Sequence, residues 1–367
     1  MDGRLGPRDH REHRHHRRRA GRDPHQLSPK AVREELMSAP LVDDIKQARE
    51  RIRGFAHTSP TIVSFPLSRL LDADVRLKLE CFQDTRAFKV RGAANAILTS
   101  RERGDVNHLV TYSTGNHGRA TALVGARLGI PTSVVMSNMT TDDKRQALTD
   151  MGAELHLVGK SQDEAQAHAM ELASRGMTLI DPINDPASTA GHGTIALEII
   201  EQFPEVDTVV VPVSGGALAS GVAIALKAER PETRVVAVSM DRGAAMYESL
   251  RAGKPVEVPE VESLADCLQG GIGLENDHTF ATVRDLIDEF VLVTEQEIGV
   301  AMAEAYYVER LILEGAGATP IAAAIKGDRS IFGDHIALIA TGGNTTTAKA
   351  AAVAEQHRRL LPERFQP

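Results

Sequence analysis

The stretch Thr208-Val209-Val210-Val211-Pro212-Val213-Ser214-Gly215-Gly216-Ala217 decides how this chain is read. Its first six residues form a near-continuous apolar, β-branched run with no polar alternation. That is the pattern of a parallel strand buried on both faces. Two glycines then close a tight turn, and Leu218–Glu229 has helical spacing. Working outward, the same strand–loop–helix grammar repeats. Toward the C-terminus come strand 234–239, helices 295–309 and 316–326, strand 336–340 (IALIA) and a last helix after Asn344. Toward the N-terminus come helix 41–53, strand 76–80, helix 89–103, strand 109–112 and a helix ending at Leu128. Strand 132–136, helix 141–151, strand 155–158, helix 161–175, strand 178–180 and helix 190–203 fill the middle. Strands alternating with helices of roughly 10–15 residues mean βαβ units and parallel sheets. Two such stretches with different neighbours imply two sheets, each with its own core. Ligands in such folds gather outside the carboxyl ends of the strands.

Composition sets the bounds. The chain has 367 residues, enough for two domains. Hydrophobic residues are 42% and charged residues 25%, ordinary for a folded globular protein and too apolar for global disorder. No apolar run is long enough to span a bilayer. Two cysteines, Cys81 and Cys267, exclude a disulfide framework and a four-thiolate zinc site, and they suit a reducing cytoplasm. Residues 1–36 carry 10 basic against 6 acidic side chains and five of the 14 histidines; the remainder carries 32 against 44. An acidic body argues against nucleic acid as the main partner. The basic leader lacks the apolar centre of a secretory signal, and its Asp2, Asp9, Glu12 and Asp23 do not suit a transit peptide. It reads as a disordered leader, with Met37 as an expected true start.

Four loops at strand ends are unusual. Cys81–Ala96 carries Lys89 at the mouth of a helix, where partial desolvation lowers an amine's pKa and makes it a nucleophile for a carbonyl; an ordinary solvated lysine is the bland alternative. Ser113-Thr114-Gly115-Asn116-His117-Gly118 opens a helix with hydroxyls and free N–H groups, suited to a carboxylate or to plain capping. Ser214-Gly215-Gly216-Ala217 opens another helix, where glycines let the backbone approach a phosphate. It is neither a P-loop nor a dinucleotide fingerprint. Thr341-Gly342-Gly343-Asn344 puts a neutral hydroxyl at the end of a buried strand. An amine nucleophile, a carboxylate site, a phosphate cradle and a neutral partner for a ring nitrogen are together what pyridoxal phosphate and an amino acid require.

Five ordered motifs carry a resemblance: AFKVRGA (87–93), STGNHG (113–118), PVSGGALASG (212–221), EGAGA (314–318) and ATGGN (340–344). The chain resembles the serine/threonine dehydratase family from about Ser38 to about Ala354. The resemblance implies an α/β enzyme of fold type II, tryptophan-synthase-β-like, with two parallel-sheet, three-layer domains and pyridoxal 5'-phosphate between them. The boundaries expected are 1–37 for the leader, 38–107 with 185–367 for a large cofactor-binding domain, and 108–184 for a small domain. It also implies that Lys89 is the Schiff-base lysine and that Phe88 packs on the cofactor. Asn116 corresponds to the residue that bonds the cofactor's 3-oxygen. Ser113, Thr114, Gly115 and His117 form the loop that holds the substrate carboxylate. Ser214, Gly215, Gly216 and Ala217, with Leu218 following, hold the phosphate. Glu314 lies near the ring and Thr341 faces its nitrogen. A cytoplasmic homodimer acting on a small amino acid is implied, with no membrane or nucleic-acid partner. Segments 161–167 (SQDEAQA), 239–256 and 263–276 look like the hydroxyectoine-utilisation dehydratase branch.

Several positions depart from the family. Its Thr-Gly-Ser reads Thr85-Arg86-Ala87 here, so a hydroxyl is lost and a cation gained. Either activity is reduced or Arg86 recognises an unusual acidic substrate. The tetraglycine phosphate loop reads Ser-Gly-Gly-Ala, whose donors survive if Ser214 and Ala217 do not need positive φ. His192 replaces a glutamine, which reads as a packing change. A divalent-cation position of some relatives corresponds to Ser239, Gly243 and Ala245; neither acid is kept, so no metal is expected there. Thr114, in place of a second serine, favours elimination over racemisation. The expected reaction is β-elimination of water from a β-hydroxy amino acid, then loss of ammonia. The alternatives are an L-threonine/L-serine ammonia-lyase, without a feedback domain after the last helix, a pyridoxal-phosphate-binding protein with little catalysis, and a nucleic-acid binder acting through the leader.

Overall fold

The structure, a computed structural model, describes residues 39–113, 115–276 and 278–365. The leader and Thr114 lie outside the described residues. Ten strands form two sheets. The six-stranded sheet has the order β1 (Thr61–Val63), β2 (Asp74–Leu79), β10 (His335–Ala340), β7 (Thr208–Pro212), β8 (Arg234–Met240) and β9 (Glu289–Val293). The four-stranded sheet has the order β5 (Glu154–Leu157), β4 (Thr132–Met136), β3 (Leu109–Tyr112) and β6 (Thr178–Leu179). All pairings are parallel except that of the edge strand β1, which runs antiparallel to β2. The large sheet is therefore mixed rather than wholly parallel. A three-residue edge strand can reverse because the short helix Phe65–Leu71 returns the chain directly to β2.

Alternation along buried strands sends neighbouring residues to opposite cores. On β7, Val210 joins one apolar cluster with Leu338 of β10 and Val236 of β8. Val209 and Val211 join another with Ala337, Ile339 and Val235. Both faces are covered by helices, which gives three layers. Each such Val, Leu or Ile side chain taken fully out of water contributes about 1.5–3 kcal/mol. The small sheet is covered likewise: Val110, Tyr112 and Val135 face one cluster, Val134 and Met136 another. No helix among the described residues is long and apolar enough to cross a membrane.

A buried ion network fixes the helix that opens with Lys89, Lys89–Arg103, against helix Pro186–Gln202. The Arg91 guanidinium donates to both carboxylate oxygens of Glu80 (2.8 and 2.9 Å) and of Glu198 (2.6 and 2.9 Å). Lys78 Nζ donates to Glu198 Oε2 (2.7 Å) and to the Ser59 carbonyl (2.7 Å). All four side chains are buried. The paired cations hold the Glu80 carboxyl below its usual range against the opposing effect of burial. The network lies one helical half-turn from Lys89, so it sets where that lysine stands.

Candidate active site

Loops leaving the carboxyl ends of β2, β10 and β7 emerge side by side, because these strands are neighbours. The loops after β3 and β6 of the small sheet meet them. The segment before Lys89 is tied to the loop after β10: Ala87 bridges Gly342, Phe88 N donates to the Thr341 carbonyl (3.0 Å), and Gly343 N donates to the Arg86 carbonyl (2.9 Å). Lys89 Nζ donates to the Pro182 carbonyl (3.0 Å) in the loop after β6. Burial lowers the Lys89 pKa to about 8, opposed by the nearby Cys267 and Asp181. At pH 7 about a tenth of such an amine is neutral, against about one in three thousand for an ordinary lysine. We predict that, when pyridoxal phosphate is added to cofactor-free protein, the rate at which a visible band develops rises with pH and levels off above about 8, the free amine being the reacting form. A rate still climbing toward pH 10 would contradict this pKa.

Asn116 opens helix Asn116–Leu128 and is buried. Its Nδ2 donates to Glu314 Oε1 (2.6 Å), and its Oδ1 accepts from Asn344 Nδ2 (2.6 Å). Asn344 Nδ2 also donates to the Thr85 carbonyl (2.7 Å). These partners fix the orientation of the Asn116 amide. The second proton of Nδ2 faces Cys267 Sγ at 3.6 Å. Burial raises the Glu314 pKa to about 7; the Asn116 bond opposes the rise and the charge of Asp266 adds to it. Glu314 precedes helix Gly315–Lys326 as its N-cap residue.

The anion loop differs from expectation at His117. Its imidazole is buried, with Nε2 3.2 Å from the Ile180 carbonyl. Burial first, and then the positive Lys89, lower its pKa to about 3. The ring is neutral and turned into the small sheet, so His117 can serve a carboxylate only through its backbone N–H. Ser113 Oγ accepts from Gly115 N (3.3 Å), and Gly115 caps the helix start, where first-turn N–H groups lack helical partners. Thr114 lies outside the described residues.

At the second loop, positive φ falls on Gly216 (+92°) and not on Ser214 or Ala217. The serine and alanine therefore do not obstruct the turn. The Gly215 carbonyl accepts from Thr279 Oγ1 (2.7 Å). Gly215 also lies so close to Ile183 that a methyl group there would fall 2.7 Å from Ile183 Cγ2. Ala217 begins helix Ala217–Glu229, whose N-terminal N–H groups and dipole favour an anion, and Leu218 is buried behind them. Thr341 is buried, and its hydroxyl makes no hydrogen bond among the described residues. Phe88 packs edge-on against His192, with ring centroids 4.7 Å apart. His192 lies flush on Gly92, where a Cβ would fall 2.2 Å from its Cε1, which accords with a packing role. Ser239 is buried at the end of β8, and Gly243 has φ +71°. No cluster of three or more potential metal-ligating side chains is gathered among the described residues.

The donor set fits pyridoxal phosphate. It combines a desolvated amine, a glycine-lined helix start, an amide anchored by two partners and a buried hydroxyl free to bond. Sequence reasoning missed Asn344 as a member of the cluster, although it closes a loop already singled out. It missed Cys267 and the Pro182 carbonyl outright, since neither belongs to a motif.

Fold and site together define a fold-type II α/β enzyme that uses pyridoxal phosphate. The chain belongs to the pyridoxal-phosphate dependent enzyme family, whose model matches residues 52–342. A protein of Sinorhizobium fredii assigned as a threonine dehydratase is 43% identical over 83% of this chain and 92% of its own length. The L-threonine ammonia-lyase of Thermotoga maritima is 36% identical over 83% of this chain and 75% of its own. Among solved structures, maize serine racemase superposes with a TM-score of 0.80 and 32% identity, covering 88% of this chain and 99% of that one. The chain is accordingly a pyridoxal-phosphate-dependent lyase of the threonine-dehydratase-like kind.

Proposed function

We propose that the enzyme removes water from a β-hydroxy amino acid and releases ammonia and a 2-oxo acid, with a physiological substrate from hydroxyectoine breakdown. The single observation that carries the reading is the Lys89 amine, desolvated and held at the meeting edge of the two sheets. Bound pyridoxal phosphate supplies the electron sink that makes the substrate's α-proton acidic. The free Lys89 amine takes that proton from Cα, and its fixed position contributes much of the rate. Helix-start N–H groups at Gly115–His117 receive the substrate carboxylate, and those at Gly216–Leu218 the phosphate. Asn116, held by Glu314 and Asn344, would turn the N–H that faces Cys267 Sγ toward the cofactor's 3-oxygen, and Phe88 would pack against the ring. The neutral hydroxyl of Thr341 does not stabilise a proton on the ring nitrogen, which favours loss of the β-hydroxyl over transamination. Water lost in the elimination returns when ammonia leaves, so the net products are the 2-oxo acid and ammonia.

Support for the hydroxyectoine reading comes from segments 161–167, 239–256 and 263–276. The last of these supplies Asp266 and Cys267 beside Asn116 and Glu314. The second reading, an L-threonine/L-serine ammonia-lyase, is favoured by the names of the relatives above. We also read 38–107 with 185–367 as the cofactor domain, 108–184 as a small domain, and the enzyme as a cytoplasmic homodimer. Release of 2-oxo acid and ammonia, compared for threonine, serine and a hydroxyectoine-derived hydroxy amino acid, tests the function. The proposal expects kcat/KM to be highest for the last. A preference for threonine would select the second reading, and no turnover of any would refute both.

A further inference from the structure

Arg86 stands three residues before Lys89 on the rim of this cluster. Its backbone is held on both sides: N donates to the Gln83 carbonyl (2.7 Å), and its carbonyl accepts from Gly343 N (2.9 Å). The preceding Thr85 carbonyl is tied through Asn344 to Asn116. Arg86 has φ +58°, a conformation that favours glycine. Two other non-glycine residues among those described share it, and each has a local reason. Asp72 ends the helix Phe65–Leu71, and the guanidinium of Arg310 donates to the Tyr307 carbonyl (3.0 Å). At Arg86 the backbone bonds to Gln83 and Gly343 hold the turn, and the side chain takes no part in it. Its side chain is exposed and makes no hydrogen bond or ion pair among the described residues. The carboxylates close to it in sequence are engaged elsewhere: Asp84 with Arg127 (2.5 Å) and His57 (2.8 Å), and Glu80 with Arg91. A long cation thus occupies a glycine-favouring position three residues before Lys89, with its guanidinium unpaired among the described residues.

We propose that Arg86 is a specificity residue that receives a second carboxylate, on the side chain of the substrate. This inference rests on the lyase reading and narrows it to acidic β-hydroxy amino acids. The planar guanidinium suits bidentate binding of a carboxylate. Such a site selects a β-hydroxy amino acid with an acidic side chain over one with a neutral or amine-bearing side chain.

The test compares wild-type, Arg86→Gly and Arg86→Lys holoenzymes. Glycine adopts this φ freely, so Arg86→Gly removes the cation without backbone strain, and an unchanged circular dichroism spectrum and visible band certify the fold and the cofactor site. The readout is the ratio of kcat/KM for 3-hydroxyaspartate, supplied as separate stereoisomers, to kcat/KM for L-threonine. In the wild type the better 3-hydroxyaspartate isomer is expected to exceed threonine. In Arg86→Gly the ratio falls about tenfold to a hundredfold, mainly through KM, and Arg86→Lys recovers part of it. A wild-type ratio below one, or a ratio unchanged in Arg86→Gly, overturns the proposal. Titration of the visible band with L-aspartate separates it from the lyase reading. If no hydroxy amino acid is turned over, a Kd for L-aspartate at least tenfold weaker in Arg86→Gly still supports Arg86 as the carboxylate receptor, and an unchanged Kd removes it.

Discussion

Replacing Lys89 with alanine abolishes the visible band of the holoprotein and lowers turnover of the best hydroxy amino acid by more than about 10⁴-fold. Two losses combine. The covalent anchor for the cofactor is gone, and so is the amine that takes the α-proton. Among the described residues no second lysine is placed to replace it: Lys78 is locked in the Glu198 network, and Lys144 pairs with Asp266 at 3.1 Å. The fold is expected to survive, because the Lys89 side chain has one hydrogen bond, to the Pro182 carbonyl, and its burial is a cost to the charged form. Absorbance, steady-state kinetics and a thermal melt of the same preparation check all three statements. A band that persisted in Lys89→Ala would mean that another amine holds the cofactor.

The second large effect concerns stability. Changing Arg91 to methionine leaves the Glu80 and Glu198 carboxylates buried, with Lys78 alone to offset two charges. Breaking a buried pair in this way costs about 3–5 kcal/mol. For a chain of this size that lowers Tm by roughly 4–7 °C. The loss should shrink at low pH. Glu80 has a depressed pKa in the folded state, so its contribution is present above the ordinary carboxylate range and disappears as pH falls through the lowered value. In the variant the same carboxyl loses the cation that depressed it and takes up a proton more readily. The stability gap between wild type and variant should therefore narrow as pH falls through the acid range. A gap that stayed constant would show that Arg91 acts through packing rather than charge.

Legibility in the sequence followed the range of the interactions. Helix Lys89–Arg103 and strands β3 and β4 have the boundaries that local spacing predicts. Their signals are runs of adjacent residues, and the four loops that form the cluster were visible because each sits where such a run stops. Three-residue β1, helices Ala245–Ala252 and His278–Leu286, and the half-buried edge strand β9 have no clear signal in the sequence, since short or edge elements carry weak periodicity. What binds the site was hidden for another reason. Asn116 meets Glu314 across 198 residues, and Arg91 meets Glu198 across 107. No local pattern encodes such pairings. The inward turn of His117 belongs here too: its partner, the Ile180 carbonyl, is 63 residues away.

That Lys89 carries the cofactor is tested most directly by reducing the holoenzyme with borohydride, digesting it and locating the modified peptide by mass spectrometry. One phosphopyridoxyl group per chain is expected, on Lys89, at the start of the helix that Arg91 anchors. A group on any other lysine, or none at all, would contradict it.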